Sequence, residues 1–342
     1  MTWSALITLV VGLAAVAFLV AANEPAEIFG LLGAAGLGML AVIALRLPQI
    51  LFAALGWAPL IDGPGRPGWA ALVRMRWIRD SVNALLPVAQ VGGEFVRVRL
   101  LVQRGIGAAP ATASVAVDLG TELAAQFVFA AIGVAVLLRL PHQGQAAAEW
   151  AVVAAALCGA MALGFLAAQR WGLFRLVERL LPKLTGKAAG RAGMAGLHQA
   201  VLRLHRAPRR LWSSGAAHLV SWLLGTLEAW AALRVLGVEA GLAEALVIES
   251  LGQLARSLGF MVPGAFGVQE GGFVLACGLF GIPPEQAVAF ALVRRIRDVA
   301  FALPGLAAWR WGAMTYARAR TANAAANAAA NAAATAGRPT PR

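Results

Sequence analysis

The chain has 342 residues, of which 60% are hydrophobic and only 13% carry a charge. Soluble domains carry about 25% charged residues, so this composition excludes a soluble globular enzyme and indicates a membrane protein. The formal net charge of +13 is typical of basic loops beside anionic lipid headgroups, and we do not interpret it as a nucleic-acid site.

Six apolar segments are long enough to cross the hydrocarbon core as helices, which takes about 20 residues each. No Lys or Arg precedes the first one, so we interpret it as a retained helix and not as a cleaved signal peptide. The sequence therefore predicts an all-α, polytopic membrane protein with about six crossing helices. The segments comprise residues 3–22, 29–45, 111–138, 146–168, 211–235 and 287–309.

The positions of the charged residues predict the orientation of the chain. Residues 169–210 contain ten Lys and Arg residues and a single acid, which indicates a cytoplasmic basic loop. The acidic stretches 23–28 and 237–244 should lie outside, whereas the arginine-bearing stretch 46–104 and the segment after Arg310 should lie inside. Both termini are then expected in the cytoplasm.

Motifs of familiar enzyme chemistry are absent from the sequence. The four histidines and two cysteines show no metal-ligand spacing, and no Walker loop, Rossmann fingerprint or GxSxG elbow occurs. The sequence therefore predicts no metal, no cofactor and no enzymatic activity. His218, inside a predicted crossing helix, is interpreted as a hydrogen-bonded packing residue.

The last part of the chain differs from the rest. Residues 317–342 are rich in Ala and Asn and have no apolar face to bury, so we expect disorder or a frayed helix there. Residues 1–316 are expected to form a single transmembrane domain.

Two segments interrupted by proline and glycine resemble each other. SVNALLPVAQVGGE (residues 81–94) and SLGFMVPGAFGVQE (residues 257–270) share Ser, Pro, Ala and Glu at an offset of 176 residues. Three predicted crossings separate the copies, and an odd number inverts the topology. We therefore predict inverted repeats at about 68–106 and 244–282, with chance similarity in a biased composition as the alternative. The matched residues are Ser81 and Ser257, Pro87 and Pro263, Ala89 and Ala265, Glu94 and Glu270, and Gly105-Ile106 and Gly281-Ile282.

Each copy of the repeat is too short and too interrupted for two complete crossings. We predict two re-entrant helical hairpins, one from each side of the membrane, whose broken ends leave backbone groups facing a cavity. Paired interruptions of this kind indicate the central site of a transporter. The residues predicted to break the helices are Pro87, Gly92, Gly93, Pro263, Gly264 and Gly267.

Charged residues within these segments need partners, because a charge at mid-membrane depth costs about 2.5–3.5 kcal/mol even on insertion scales. Arginines in the same regions can pair with the acids, and the forked guanidinium also suits a lipid phosphate. Two interpretations stay open: ion pairs that lock helices together, and groups that bind a lipid headgroup or carry protons. The candidates are Glu94, Glu270, Asp118, Glu122, Arg79, Arg97, Arg256, Arg294, Arg297 and Asp298.

Two long runs carry a resemblance to a known family. GFMVPGAFGVQEGGFVLACGLFGIPPEQAVAFALVRRIRD and the earlier RWIRDSVNALLPVAQVGGEFVRVRLLVQRG resemble flippase-like membrane proteins related to the transmembrane domain of lysylphosphatidylglycerol synthase, and more narrowly the branch associated with hopanoid biosynthesis. The similarity covers residues 3–311. It implies a multi-pass protein of the bacterial inner membrane that moves or distributes a lipid and has no aminoacyl-transfer domain.

The resemblance leads to two functional hypotheses. The first is a lipid translocase that passes a headgroup between the two hairpins, with membrane lipids, an anionic phospholipid or a hopanoid, as partners. The second is a non-transporting scaffold that recruits lipid-biosynthesis or hopanoid-biosynthesis enzymes through the basic loop at 169–210. An intramembrane enzyme is a weaker third hypothesis, because no second catalytic group lies at a recognisable spacing from Glu270.

Overall fold

The structure of the protein is a computed structural model. It describes residues 3–63, 65–86, 92–140, 196–259, 262 and 265–336, with isolated positions between 152 and 167. Within these ranges the regular elements are helices and no strand occurs, which confirms the all-α prediction. The helices are α1 (Trp3–Ala21), α2 (Pro25–Ala35), α3 (Gly38–Ala44), α4 (Arg46–Trp57), a 3-10 turn (Ala58–Leu60), α5 (Trp69–Leu85), α6 (Gly92–Val102), α7 (Ala108–Leu137), α8 (Leu197–His205), α9 (Pro208–Val235), α10 (Leu242–Leu258), α11 (Val268–Gly278) and α12 (Pro284–Ala336).

Three helical segments among the described residues are long and apolar enough to cross a membrane. They are Gly38–Leu60, Ala108–Leu137 and Pro208–Val235. A fourth span results if Leu13–Ala21 and Pro25–Ala35, which are bent by 101° relative to each other, are counted together. The protein is therefore a polytopic membrane protein, and the expected number of about six crossings stays a prediction.

Two of the six expected crossings are not among the candidate spans of the structure. The segment at 146–168 lies almost entirely outside the described residues, as does most of the basic loop at 169–210. The segment at 287–309 lies within α12, where clustered arginines lower its mean hydropathy. The helix bounds carry no information on which side of the membrane faces the cytoplasm, so the placement of the termini also stays a prediction.

The span predicted at 29–45 is displaced in the structure. Helix α2 ends at Ala35, and Gly36 follows with a φ of 43°, a left-handed conformation that glycine adopts without a Cβ clash. Helical structure resumes at Gly38 and continues to Leu60. Arg46, which the sequence placed in a cytoplasmic stretch, consequently lies inside a helical segment that is long and apolar enough to cross the membrane.

The helices that follow the two proline-glycine interruptions have matching bounds. Both ends of α6 (Gly92–Val102) and α11 (Val268–Gly278) differ by 176 residues, the offset found in the sequence. Helices α7 and α12 begin at Ala108 and Pro284, again at this offset. The common register is a structural observation consistent with an internal repeat, whereas the inverted, re-entrant topology stays a prediction.

The residues predicted to break the helices fall into two groups. Gly92 and Gly93 begin α6, and Gly267, with a φ of 79°, is the N-cap of α11. Pro87, Pro263 and Gly264 lie outside the described residues.

Helices of the first half of the protein pack against helices of the second half. Helix α5 packs against α12, and α10 packs against α7, so each helix before an interruption contacts the long helix of the other half. Trp77 Nε1 donates to the carbonyl oxygen of Phe301 at 2.8 Å in the first pair, and Gln126 Nε2 donates to that of Gln253 at 3.0 Å in the second. These crossed pairs enclose the site described below.

Separate apolar cores pack the helices of the two halves. One core contains Trp57 and Leu101 from the first half of the chain. The other contains Phe273 and Phe290, whose rings meet edge to face with centroids 5.1 Å apart. The cores hold the helices around the central space, so its polar lining does not have to supply the packing.

One close contact between α7 and α10 leads to a stability prediction. A Cβ atom at Gly133 would lie 1.9 Å from Ser250 Oγ, so Gly133→Ala should push the two helices apart. We expect the unfolding free energy in detergent to fall by about 1–3 kcal/mol, as for other overpacked sites. Gly215→Ala is the matched control, since no atom lies within 4 Å of its added methyl group. Equal unfolding curves for the two variants, measured by circular dichroism, would contradict this packing.

The C-terminal helix extends into the Ala/Asn-rich segment. Helix α12 continues to Ala336, whereas the sequence predicted disorder or a frayed helix from residue 317. The domain boundary at residue 316 stays a prediction.

Candidate functional site

A cavity of about 620 Å³ lies between α4, α5, α7, α9, α10 and α12. Its lining combines apolar side chains with a dense set of charges, a combination that suits a ligand with one apolar and one polar end. The apolar side chains include Leu123, Phe127, Trp222, Leu254 and Phe301. The charged ones are five arginines and three carboxylates: Arg46, Arg76, Arg79, Arg256, Arg297, Asp80, Glu122 and Asp298.

Glu122 of α7 is the centre of the ion pairs on one side of the cavity. Arg76 Nη1 and Arg79 Nη2 of α5 donate to its Oε2 at 3.2 and 3.3 Å. Arg79 also donates to Asp80 Oδ1 at 2.9 Å and to Glu94 Oε1 at 2.6 Å. One guanidinium group therefore connects the cavity lining on α5 and α7 to the first turn of α6.

Asp118 lies one turn before Glu122 and is fully buried. Its Oδ2 accepts a hydrogen bond from Arg97 Nη1 at 2.5 Å, and its Oδ1 lies 2.9 Å from His218 Nε2. Arg97, also fully buried, donates from Nε to Glu94 Oε2 at 3.0 Å. His218 lines the cavity, so the hydrogen-bonded role expected for this residue connects the cavity to a buried ion-pair network.

A second network lies where α9, α10 and α12 meet. Glu228 of α9, fully buried, forms an ion pair with Arg294, and Arg297 Nε lies 2.9 Å from its Oε1. Gln49 Nε2 of α4 donates to Glu228 Oε2 at 2.5 Å. Arg294 also donates to Glu249 Oε1 of α10 at 2.5 Å. The buried charges thus have close partners, as their desolvation cost requires.

Glu270 has two structural roles at the start of α11. Its Oε1 accepts a hydrogen bond from Arg295 Nε at 2.7 Å, and its Oε2 accepts one from the backbone N–H of Gly267 at 2.8 Å. The second contact caps the helix. Glu94 occupies the matching position in the first turn of α6, so each half places one arginine-paired glutamate directly after its interruption.

Arg46 and Arg256 are the most exposed of the arginines that line the cavity. Their side chains are 26% and 24% exposed. Arg46 Nη1 donates to Gln49 Oε1 at 2.7 Å, and its Nη2 lies 3.4 Å from Asp80 Oδ2. Arg256 Nη1 lies 3.7 Å from Asp298 Oδ2. Arg256 Nη1 also donates to Gln269 Oε1 at 3.2 Å. Both arginines line the cavity and keep partners within the protein.

The structure divides the ten candidate charged residues into two sets. Arg79, Glu122, Arg256, Arg297 and Asp298 line the cavity. The other five lie outside the lining, where each forms an ion pair with a lining residue or with another charged side chain. They are Glu94, Glu270, Asp118, Arg97 and Arg294. Their assignment to lipid binding or proton coupling stays a prediction.

The sequence interpretation omitted five charged residues of the site. Arg76 and Asp80 flank Arg79 on α5 at helical spacing, which was a usable signal. Glu228 and Glu249 are acids within apolar helices, and the criterion that selected Asp118 applies to them as well. Arg46 ends an apolar run, and nothing in its local sequence distinguishes it from a loop charge.

Comparison with known proteins gives one family. The family model described as "Lysylphosphatidylglycerol synthase TM region" matches residues 5–316. The match includes every residue that lines the cavity. No curated protein and no solved structure matches the chain.

Proposed function

Because the chain belongs to the family of lysylphosphatidylglycerol synthase transmembrane regions, we propose that it is a translocase that moves a lipid between the leaflets of the bacterial inner membrane. The observation that carries the proposal is the cavity of about 620 Å³, with its charged and apolar lining, between the crossed helices of the two halves. The resemblance to the hopanoid-associated branch adds a hopanoid to the phospholipids as a proposed cargo.

The cavity chemistry gives the proposal its physical basis. A lipid headgroup resists entering hydrocarbon because its charges lose their hydration, and a polar path within the protein replaces part of that hydration. Arg79, Arg256 and Glu122 supply charged groups to such a path, and Phe127 and Trp222 supply apolar contact. The acyl chains then remain in contact with apolar surface while the headgroup crosses.

We also propose that the lipid leaves chemically unchanged. The carboxylates of the cavity have arginine partners at ion-pair distances, for example Glu122 with Arg79 at 3.3 Å, which is an arrangement that suits positioning. Movement would follow the lipid gradient or the membrane potential, or depend on a partner protein, since the sequence contains no nucleotide-binding motif.

Transport by purified protein in liposomes tests the proposal. An impermeant quencher reports how fast labelled phosphatidylglycerol, phosphatidylcholine or hopanoid moves from the inner to the outer leaflet, and we expect wild-type protein to accelerate at least one of them over protein-free vesicles. Ala53→Phe, which places a ring in the cavity lining, should slow this movement on the order of tenfold, an added barrier of about 1.4 kcal/mol.

The matched control for the blocked cavity is Leu55→Phe on the same helix. Leu55 is 48% exposed and is not in the lining, so the variant should transport at the wild-type rate. Well-folded wild-type protein that moves none of the three lipids would contradict the translocase and favour the scaffold. Appearance of a chemically altered lipid would instead indicate an enzyme.

A further inference from the structure

The charge of the cavity lining is unevenly distributed. Arg76 and Arg79 share Glu122 and have further carboxylates within ion-pair distance, such as Glu94 2.6 Å from Arg79. Their charges are therefore compensated within one cluster. The three remaining arginines of the lining, Arg46, Arg256 and Arg297, are here called the arginine triad.

Members of the arginine triad repel one another. Arg46, Arg256 and Arg297 carry like charges and line the same cavity, so the positive charge of each opposes those of the other two. Their carboxylate partners are shared. Asp298 lies 3.1 Å from Arg297 and 3.7 Å from Arg256, and Asp80 lies 2.9 Å from Arg79 and 3.4 Å from Arg46. Glu228 lies 2.9 Å from Arg297 and also pairs with Arg294. An anion bound between the three guanidinium groups would relieve this repulsion.

The arginine triad also has a chemistry suited to an anion. Arg46, Arg256 and Arg297 come from α4, α10 and α12, so they reach the cavity from three helices. Planar guanidinium forks match the oxygen atoms of phosphate, to which they donate charge-assisted hydrogen bonds. Two of the side chains retain about a quarter of their exposure, 26% for Arg46 and 24% for Arg256, although they lie deep between helices.

We propose that the arginine triad binds one phosphate group carried by the headgroup of an anionic lipid, with Arg46 as a specificity-determining residue. The inference rests on the proposed function for its choice of a lipid as the ligand, and apolar lining residues such as Phe127 and Trp222 are the contacts for the lipid's apolar part. It selects an anionic phospholipid over an uncharged hopanoid as the ligand of this site.

Binding, measured without transport, tests the inference. Purified full-length protein in an uncharged detergent is titrated calorimetrically with short-chain phosphatidylglycerol, short-chain phosphatidylcholine and inorganic phosphate. We expect phosphatidylglycerol to bind more tightly than phosphatidylcholine, because the three arginines would repel the choline cation beside the phosphate of phosphatidylcholine. Arg46→Gln should weaken the binding of phosphatidylglycerol by about tenfold or more, since a hydrogen bond to a charged group is lost. Arg46→Lys, which keeps the charge, should bind more tightly than Arg46→Gln.

Arg210→Gln is the matched control. It removes the same charge from an exposed pair with Asp62, outside the cavity, and should bind phosphatidylglycerol like wild type. Melting temperatures of the variants report their folding, and Arg46→Lys keeps the test valid if Arg46→Gln does not fold. Wild-type affinity in Arg46→Gln, or equal affinity for both phospholipids, would overturn the inference.

Further outcomes separate the two sources of phosphate and the two proposals. Inorganic phosphate that binds as tightly as the lipid and displaces it would overturn the lipid assignment. Selective binding of phosphatidylglycerol without any transport would support the site and contradict the translocase. Transport without selective binding would contradict the site alone.

Discussion

Glu228→Gln should lower the unfolding free energy by about 3–5 kcal/mol, the usual cost of removing one partner from a buried ion pair. Glu228 is fully buried and pairs with Arg294 and Arg297, while Gln49 Nε2 donates to its Oε2 at 2.5 Å. Glutamine keeps the size of the side chain but removes the charge. Arg294 and Arg297 would then keep Glu249 and Asp298 as carboxylate partners but lose the buried carboxylate that they share. Unfolding in mixed micelles with a rising fraction of ionic detergent measures the change.

Two further variants isolate the charge effect. Asp62→Asn makes the same kind of change in an exposed ion pair, where the side chains of Asp62 and Arg210 are 61% and 42% exposed. It should cost less than about 1 kcal/mol. The double variant Glu228→Gln/Arg294→Gln removes one charge of each sign and should be more stable than Glu228→Gln alone. Wild-type stability of Glu228→Gln would show that the arginine charges are compensated by other groups.

The fold shows what apolar pattern and register can predict. The apolar runs identified a membrane protein made of helices, and the offset of 176 residues between Glu94 and Glu270 recurs in the bounds of α6 and α11. The displaced span ending at Leu60 was not predictable in the same way. Its boundaries depend on the turn at Gly36 and on the contacts of Arg46 with Gln49 and Asp80, and the mean hydropathy of a sequence window contains neither kind of information.

The candidate site was predictable only where partners are close in sequence. Glu94 with Arg97 is a pair three residues apart on one helix, which local spacing identifies. Glu228 pairs with Arg294 across 66 residues, and Arg46 approaches Asp80 across 34. Such partners are selected by the packing of different helices, so helical spacing within one segment cannot identify them.

The network of paired charges leads to the second large effect, on transport. Glu94→Gln and Glu270→Gln should each reduce lipid movement in liposomes by about tenfold or more. Glu94 holds Arg79, a lining residue, through a 2.6 Å hydrogen bond, and Glu270 holds Arg295 through one of 2.7 Å. Hydrogen bonds to charged groups contribute about 1.5–3 kcal/mol, and about 1.4 kcal/mol of added barrier is tenfold in rate.

Glu244→Gln is the matched control for Glu270→Gln. Both glutamates accept the backbone N–H of a glycine N-cap, at 2.7 Å from Gly241 and 2.8 Å from Gly267. Glutamine can still accept this bond, so a loss confined to Glu270→Gln would come from the ion pair with Arg295 and not from the cap. Wild-type transport by both Glu94→Gln and Glu270→Gln would contradict their role.

The pH dependence of transport distinguishes positioning from proton coupling at these two glutamates. If the glutamate carries a proton, its replacement by glutamine would change how the transport rate depends on pH. A positioning residue would leave a lower rate with the wild-type pH profile. We expect the second result for Glu94 and Glu270, because neither lines the cavity through which the headgroup would pass. The scaffold hypothesis makes the opposite prediction for function in cells. Both glutamine variants would be tolerated, whereas charge-neutral substitutions in the basic loop at 169–210 would abolish function.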